Sequence, residues 1–420
     1  MSKKTGVYAV VLITSLFFLW GFALNLNSTI LVPHLKKACQ LSFRESGLVD
    51  SAFYIAYFVF AVPAGLFMHK YGYKSGIIFG LLLFALGAFL FYPAATTRVY
   101  PFFLMALFII ASGCAFLETA ANPYINNLGD PAGATRRINF AQSFNGLAAT
   151  MAPYLGGIFI LSGKEFTDKQ SLAMSSQQLN AYLQSESDSV KIPYIIMGVV
   201  VLTVAILIWR TSLPDIKEHS TEDDTKMGSR SIFREKNLML GVLGIFFYVG
   251  AQAGIQSYFI TYSKFIGGIG EKHASVLVSI AFAGFMVGRF LGSALMKYIA
   301  PVKILLTYCI INCALLIFAF TLKGSISVYA LMCVPFFMSI MFPTIFSLSI
   351  RGLGENTKKG SSLLIMGIVG GAVIPPLLGL VTDLVNIRVA YLIPVISFAY
   401  ILYFALTNIR VKNVQQVIGH

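Results

Sequence analysis

The chain has 420 residues, of which 57% are hydrophobic and only 11% charged, and its mean hydropathy is +0.77. A soluble domain carries roughly a quarter charged residues, so this composition excludes an ordinary water-soluble fold. The net charge of +14 does not imply a nucleic-acid partner, because the positive residues lie in short connections between apolar runs.

Those runs are about 20 residues long, the length that spans a bilayer as a helix. The first, at 8–30, has no small-residue cleavage site and leads into further apolar runs, so it reads as a retained helix and not a signal peptide. It ends in "LNLNSTILVP", which places Asn25, Asn27 and Ser28 where lipid would favour leucine. At helical spacing Asn25 and Ser28 share a face and Asn27 points elsewhere, which makes Asn25 and Ser28 candidate substrate-binding residues. The second run, 46–68, opens on Asp50 in "GLVDSAFYIAYF". Two readings stand for Asp50: an acid at the outer mouth, favoured by the helix N-terminus, or a coupling residue.

Runs at 75–95 and 100–128 follow. Within "GCAFLETAANPYI", Glu118 is an acid deep in a span, and a carboxylate in hydrocarbon must face the bundle interior. It is the leading candidate for coupling, with a structural hydrogen-bond anchor as the alternative. Asn122 lies one turn on, and Pro123 removes a backbone donor and opens the local helix. In the fifth run, 138–162, "NFAQSFNG" repeats amides at Asn139, Gln142 and Asn145. Amides donate and accept together, which suits a polyhydroxylated ligand as well as helix packing. Gln142 and Asn145 are ranked as substrate-binding, and Asn139 below them.

A polar segment, 163–190, precedes the sixth run at 192–210, and "SSQQLNAYLQ" within it predicts a short surface helix. The mixed-charge stretch 211–236 reads as a cytoplasmic linker. Six more runs follow at 237–262, 274–296, 303–322, 325–350, 360–383 and 389–408. The seventh, "FFYVGAQAGIQSYFITY", offers Tyr248, Gln252 and Gln256 as sugar-gripping candidates, while Tyr262 reads as a membrane-belt residue. Arg289 in the eighth run is a gating candidate that snorkels or pairs with a carboxylate. Pro343 predicts a local distortion, and "GIVGGAV" at 367–373 permits close helix contact.

The expected fold is therefore an all-α polytopic membrane protein of twelve transmembrane helices. Residues 1–210 and 237–420 form two six-helix halves, a common transporter plan. With both termini cytoplasmic, most lysines and arginines fall on the inner side, as the positive-inside rule requires. The five histidines, at 34, 69, 219, 273 and 420, sit in loops or at span edges without catalytic grouping, which argues against an enzyme. Cys309 and Cys313 are four apart on an apolar helix, near no histidine, and read as small buried residues. No cofactor or metal is expected.

The segments "SLFFLWGF", "SAFYIAYFVFAVPAGLFMHKYGYKSGII", "LETAANPYI", "AQSFN", "YVGAQ" and "PTIFSL" resemble the major facilitator superfamily, and within it the fucose–galactose–glucose proton symporters. The likeness runs nearly end to end, and "LETAANP" with "AQSFN" carries most of it. His69 stands where the superfamily loop often has an acid. The resemblance implies a multi-pass, monomeric carrier in a bacterial inner membrane that moves a monosaccharide by alternating access. It matches Glu118 to the family's essential glutamate and Asn145 to a sugar-contacting amide, with Gln142 beside it. Two departures stand out: Ser28 occupies the place of a protonatable aspartate, and Gln256 that of a tryptophan. The first leaves H⁺ as the expected coupling ion, with Na⁺ or no ion as alternatives. The second leaves L-fucose, glucose, galactose and an amino sugar open as substrates.

Overall fold

The computed structural model describes residues 3–127, 134–163, 174–211, 232–296, 298–351, 353 and 357–418. Among them every regular element is helical. Ten helices are long and apolar enough to cross a membrane. One of these, Phe43–Thr97, has 55 residues, enough for two passes, and Ala134–Phe159 supplies the fifth predicted span. Twelve crossings follow, as the apolar runs require.

The first unit comprises Met1–Glu218 together with Gly270–Ser279. Helix α1 (Lys3–Leu26) does not end where the first run was expected to end. It passes through a π-helical turn, Asn27–Leu31, into α2 (Val32–Ala38). Helix α3 (Phe43–Thr97) starts on a capping box. The Ser42 hydroxyl accepts from the Glu45 N–H at 3.1 Å, and the Ser42 N–H donates to Glu45 Oε2 at 2.8 Å. Gly72, with φ 82° and ψ 162°, interrupts α3 in "MHKYGYK" and separates the second and third spans. Only glycine adopts such a conformation readily, so the sharp reversal is written into that one residue. Helices α4 (Tyr100–Asn127), α5 (Ala134–Phe159), α6 (Ser176–Asp188) and α7 (Lys191–Arg210) complete the unit. α6 is the short helix expected in the polar segment, capped by Ser175 and Gln178.

The second unit comprises His219–Ile269 and Ile280–His420. Of the linker 211–236, residues 212–231 lie outside the described residues. The long helices here are α8 (Lys236–Phe265), α9 (Glu271–Leu295, of which Ile280 onward belongs to this unit) and α10 (Pro301–Thr321). The run 325–350 is broken into α11 (Ser325–Met338) and α12 (Met341–Ser349). The break has a cause in Pro343, which cannot donate to the carbonyl four residues back, that of Ser339. Helix α13 (Thr357–Met366), a 3₁₀ turn Gly367–Val369, α14 (Gly370–Leu384), α15 (Ile387–Ala390) and α16 (Leu392–Ile418) close the chain.

α8 packs against α14 through small residues, as "GIVGGAV" suggested. A Cβ added at Gly370 would overlap the backbone carbonyl of Phe246, and one at Gly250 would sit 2.9 Å from the Gly370 carbonyl oxygen. Gly370→Ala is therefore expected to lower stability by about 1–3 kcal/mol, since backbone cannot yield as a flexible side chain can. A fall in the thermal midpoint in detergent checks this.

Tyr262 corrects one expectation. It is no membrane-belt residue: it is fully buried, donates to the Ala319 carbonyl and packs edge-on against Tyr391 with ring centroids 4.7 Å apart. Tyrosine in a bundle interior needs such a partner for its hydroxyl, and the helix supplies a carbonyl.

Candidate functional site

In the first unit, polar side chains of α4 and α5 converge with Tyr57 of α3 and the Phe17 carbonyl of α1. Glu118 is half-buried on α4, and the hydroxyl of Tyr57 from α3 lies beside its carboxyl group. One turn on, Asn122 Nδ2 donates to the Glu118 backbone carbonyl at 3.0 Å, which leaves its oxygen turned to α5. There Gln142 Nε2 approaches Asn122 Oδ1 at 3.5 Å, a long contact that a ligand hydroxyl could easily replace. Asn145, one turn beyond Gln142, donates to the Phe17 carbonyl of α1 at 3.2 Å. The close approach there depends on Gly21, since a Cβ at that position would lie 2.5 Å from Asn145 Nδ2. The rings of Phe17 and Trp20 meet at a tilt of 43° with centroids 4.3 Å apart.

Glu118, Asn122, Gln142 and Asn145 thus form one polar wall of amides around one acid. None of the four is sealed from access, in contrast to the surrounding core. The side chain of Asn139 lies outside the described residues.

A second polar focus in the same unit is the π-turn. The extra residue in this turn shifts the helical phase, and Asn25, Asn27 and Ser28 are all buried. The Asn25 amide is occupied by the Gly21 carbonyl at 2.7 Å, which makes it a strut of α1 in this structure. Ser28 donates to Asp50 Oδ1 at 2.7 Å. Asp50 is wholly buried, so the outer-mouth reading fails: a solvated acid at a helix start needs no such partner. Tyr54 and Tyr57 follow Asp50 at four and seven residues, on the helix face that leads towards Glu118.

The second unit holds the remaining candidates. Gln252 and Gln256 are half-buried, one turn apart on α8. Tyr248 is buried and its hydroxyl donates to the Met338 carbonyl at 3.2 Å, so here it packs the α11–α12 break. Arg289 pairs with no carboxylate among the described residues. Its Nε donates to the Ser339 carbonyl at 3.3 Å, the acceptor that Pro343 releases, and its guanidinium lies 4.9 Å from the Phe285 ring centre. A cation inside a span is thereby held by backbone oxygen and an aromatic face.

Over residues 12–368 the sequence matches the Major Facilitator Superfamily. The chain belongs to this superfamily. Its relatives there include the L-fucose-proton symporter of Escherichia coli K12, 43% identical over 411 residues, with 96% of this chain and 93% of the relative covered. The glucose/galactose transporter of Brucella abortus biovar 1 (strain 9-941) is 40% identical over 408 residues, covering 96% and 95%. Among solved structures, the superfamily transporter FucP in its outward conformation aligns with a TM-score of 0.69 and 41% identity, over 96% of this chain and 99% of that one. The superfamily member described here thus groups with fucose and glucose/galactose transporters, and its relatives are transporters, not enzymes.

Proposed function

We propose that the protein is a secondary carrier that takes up a monosaccharide, L-fucose or a related hexose, together with a cation, H⁺ in the first place, by alternating access. The observation that carries this reading is the amide wall of Asn122, Gln142 and Asn145 beside Glu118. Amides donate and accept at once and so match sugar hydroxyls of either sense. A deep acid such as Glu118 is a cost that a transporter recovers by protonation and deprotonation on each cycle. The names of the E. coli and Brucella relatives support the sugar class. The carrier acts as a monomer in a bacterial inner membrane with both termini cytoplasmic, in keeping with the inward bias of its lysines and arginines. Gln252 and Gln256 complete the sugar contacts from α8, and Arg289 serves the gate.

A second reading, coupling to Na⁺, is favoured by one observation: Ser28 Oγ and Asp50 Oδ1 form a buried oxygen pair at 2.7 Å beside the π-turn. Hard cations prefer oxygen ligands of this kind. Uptake of labelled L-fucose into proteoliposomes, under an imposed proton gradient and separately under a sodium gradient, tests both. Accumulation under one gradient alone names the ion. Absence of flux under either, with glucose, galactose and N-acetylglucosamine also inert, removes the proposal.

The geometry at Gly21 yields a sharper expectation. Gly21→Ala must push the Asn145 amide off its Phe17 contact while leaving Glu118 untouched. The KM for sugar should rise about tenfold, with coupling to the ion gradient preserved. Initial-rate uptake over a sugar series measures it.

A further inference from the structure

Away from the amide wall, a group of ionisable side chains is buried in the first unit where α2 packs on α6. Lys37, at the end of α2, places its ammonium 3.2 Å from Glu186 Oε1 of α6 and 3.6 Å from Glu271 Oε2 at the start of α9. The Ser162 hydroxyl donates to the same Glu186 Oε1 and accepts from Lys37 at 3.2 Å. One oxygen of Glu186 is thus well supplied. The other, Oε2, is buried and has no hydrogen-bond partner among the described residues.

One turn before Lys37 on the same helix stands His34, which is fully buried. Neither of its ring nitrogens has a hydrogen-bond partner among the described residues. The charges that bear on the ring are Glu186 from α6 and Lys37 from its own helix. Tyr182 of α6 lies beside both Lys37 and Glu186, and Glu271 joins the group through Lys37. Helix α3 also packs against α2, but its first charged residues are otherwise disposed: Arg44 and Glu45 are exposed, and Asp50 accepts from Ser28.

Buried polar atoms in a folded protein are paired, and these two side chains hold complementary groups. A carboxylate oxygen accepts, while an imidazole donates from one nitrogen and an imidazolium from both. We propose that His34 and Glu186 form a proton-binding site, which takes up one proton on acidification and shares it between imidazole and carboxylate. In the filled site the imidazolium donates to Glu186, whose Oε1 keeps Lys37 and Ser162. The proton comes from water and displaces nothing. Lys37 cannot take this part, because an ammonium already holds its proton in this range; imidazole and carboxylate are the groups that change charge there. The site is distinct from Glu118 and Asp50, and when filled it gives α2 and α6 a second charged tie beside that of Lys37.

The test is a pH titration of the full chain, labelled with ¹⁵N-histidine, in lipid nanodiscs. His34→Gln assigns the His34 ring signals against those of the other four histidines. His34 is expected to pass from the neutral to the imidazolium form between about pH 7 and pH 4. In Glu186→Gln the transition should move about one pH unit lower, because the partner charge is gone, and in Lys37→Gln it should move higher. Loosened packing would move both variants the same way, so opposite shifts single out a shared proton. A ring that stays neutral throughout, or a transition that both substitutions leave in place, overturns the site. Proton uptake by titration over the same range gives a second measure: His34→Gln should bind one proton fewer, and an unchanged count also overturns the site. No sugar enters either measurement, so the site and the transport reading stand or fall separately.

Discussion

Glu118→Gln is expected to abolish uphill sugar uptake while leaving exchange in place. Glutamine keeps the size and hydrogen-bonding reach of the side chain, so the neighbouring Asn122 contact to the backbone carbonyl survives. It removes only the proton that the carboxyl can carry. A potential of 100 mV is worth about 2.3 kcal/mol per charge, enough for one-to-one coupling to concentrate sugar about 50-fold. In the Gln variant the internal concentration should reach the external one and stop there, while labelled sugar still exchanges across the membrane. Accumulation equal to that of the unaltered chain would assign Glu118 a structural role, holding α4 against Tyr57 of α3.

The second large effect concerns Asp50. Asp50→Asn retains an acceptor for the Ser28 hydroxyl and removes the charge, so it separates hydrogen bonding from coupling. Accumulation is expected to fall about tenfold, with counterflow retained. Ser28 stands where the resembling family has an aspartate, and in this chain the carboxylate sits on the other side of the same 2.7 Å hydrogen bond. Ser28→Asp combined with Asp50→Asn should therefore restore uphill transport, since it returns the charge to the same polar focus from α1. Uptake under proton and sodium gradients reads both variants. Normal accumulation by the Asn variant would reduce Asp50 to a packing partner of the π-turn.

Much of this architecture was legible in the sequence because lipid imposes so few choices. Long apolar runs, an acid such as Glu118 deep in a span and amides at helical spacing identify themselves when most other span positions are hydrocarbon. The wall of Glu118, Asn122, Gln142 and Asn145 was found in this way, since its members are close along two segments. What failed had long-range or phase-dependent causes. No sequence pattern links Glu186 and Glu271 to Lys37, because their partner lies more than a hundred residues away in the chain. Tyr262 read as a belt residue because the tyrosine signal at a span end is the same whether the ring faces headgroups or the Ala319 carbonyl. The π-turn at Asn27–Leu31 was not foreseen, because a 3.6-residue period was carried through a turn that does not obey it. Pro343 was recognised as a distortion, but the use of the freed Ser339 carbonyl by Arg289 needed the fold.

The wide turn at Asn27–Leu31 has a further consequence. A continuous helix advances about 100° per residue, so a single surplus residue sets the angular phase between everything before it and everything after it. Upstream of the turn lie Phe17 and Gly21, which seat Asn145. Downstream lies Lys37, which engages Glu186 and Glu271. Deleting one residue from 27–31 would straighten the rod and swing the lysine through about a quarter of a circle, away from both acids. The wide turn thus works as a phase adjuster, letting one rod serve two sets of partners whose angular positions no regular helix would satisfy together.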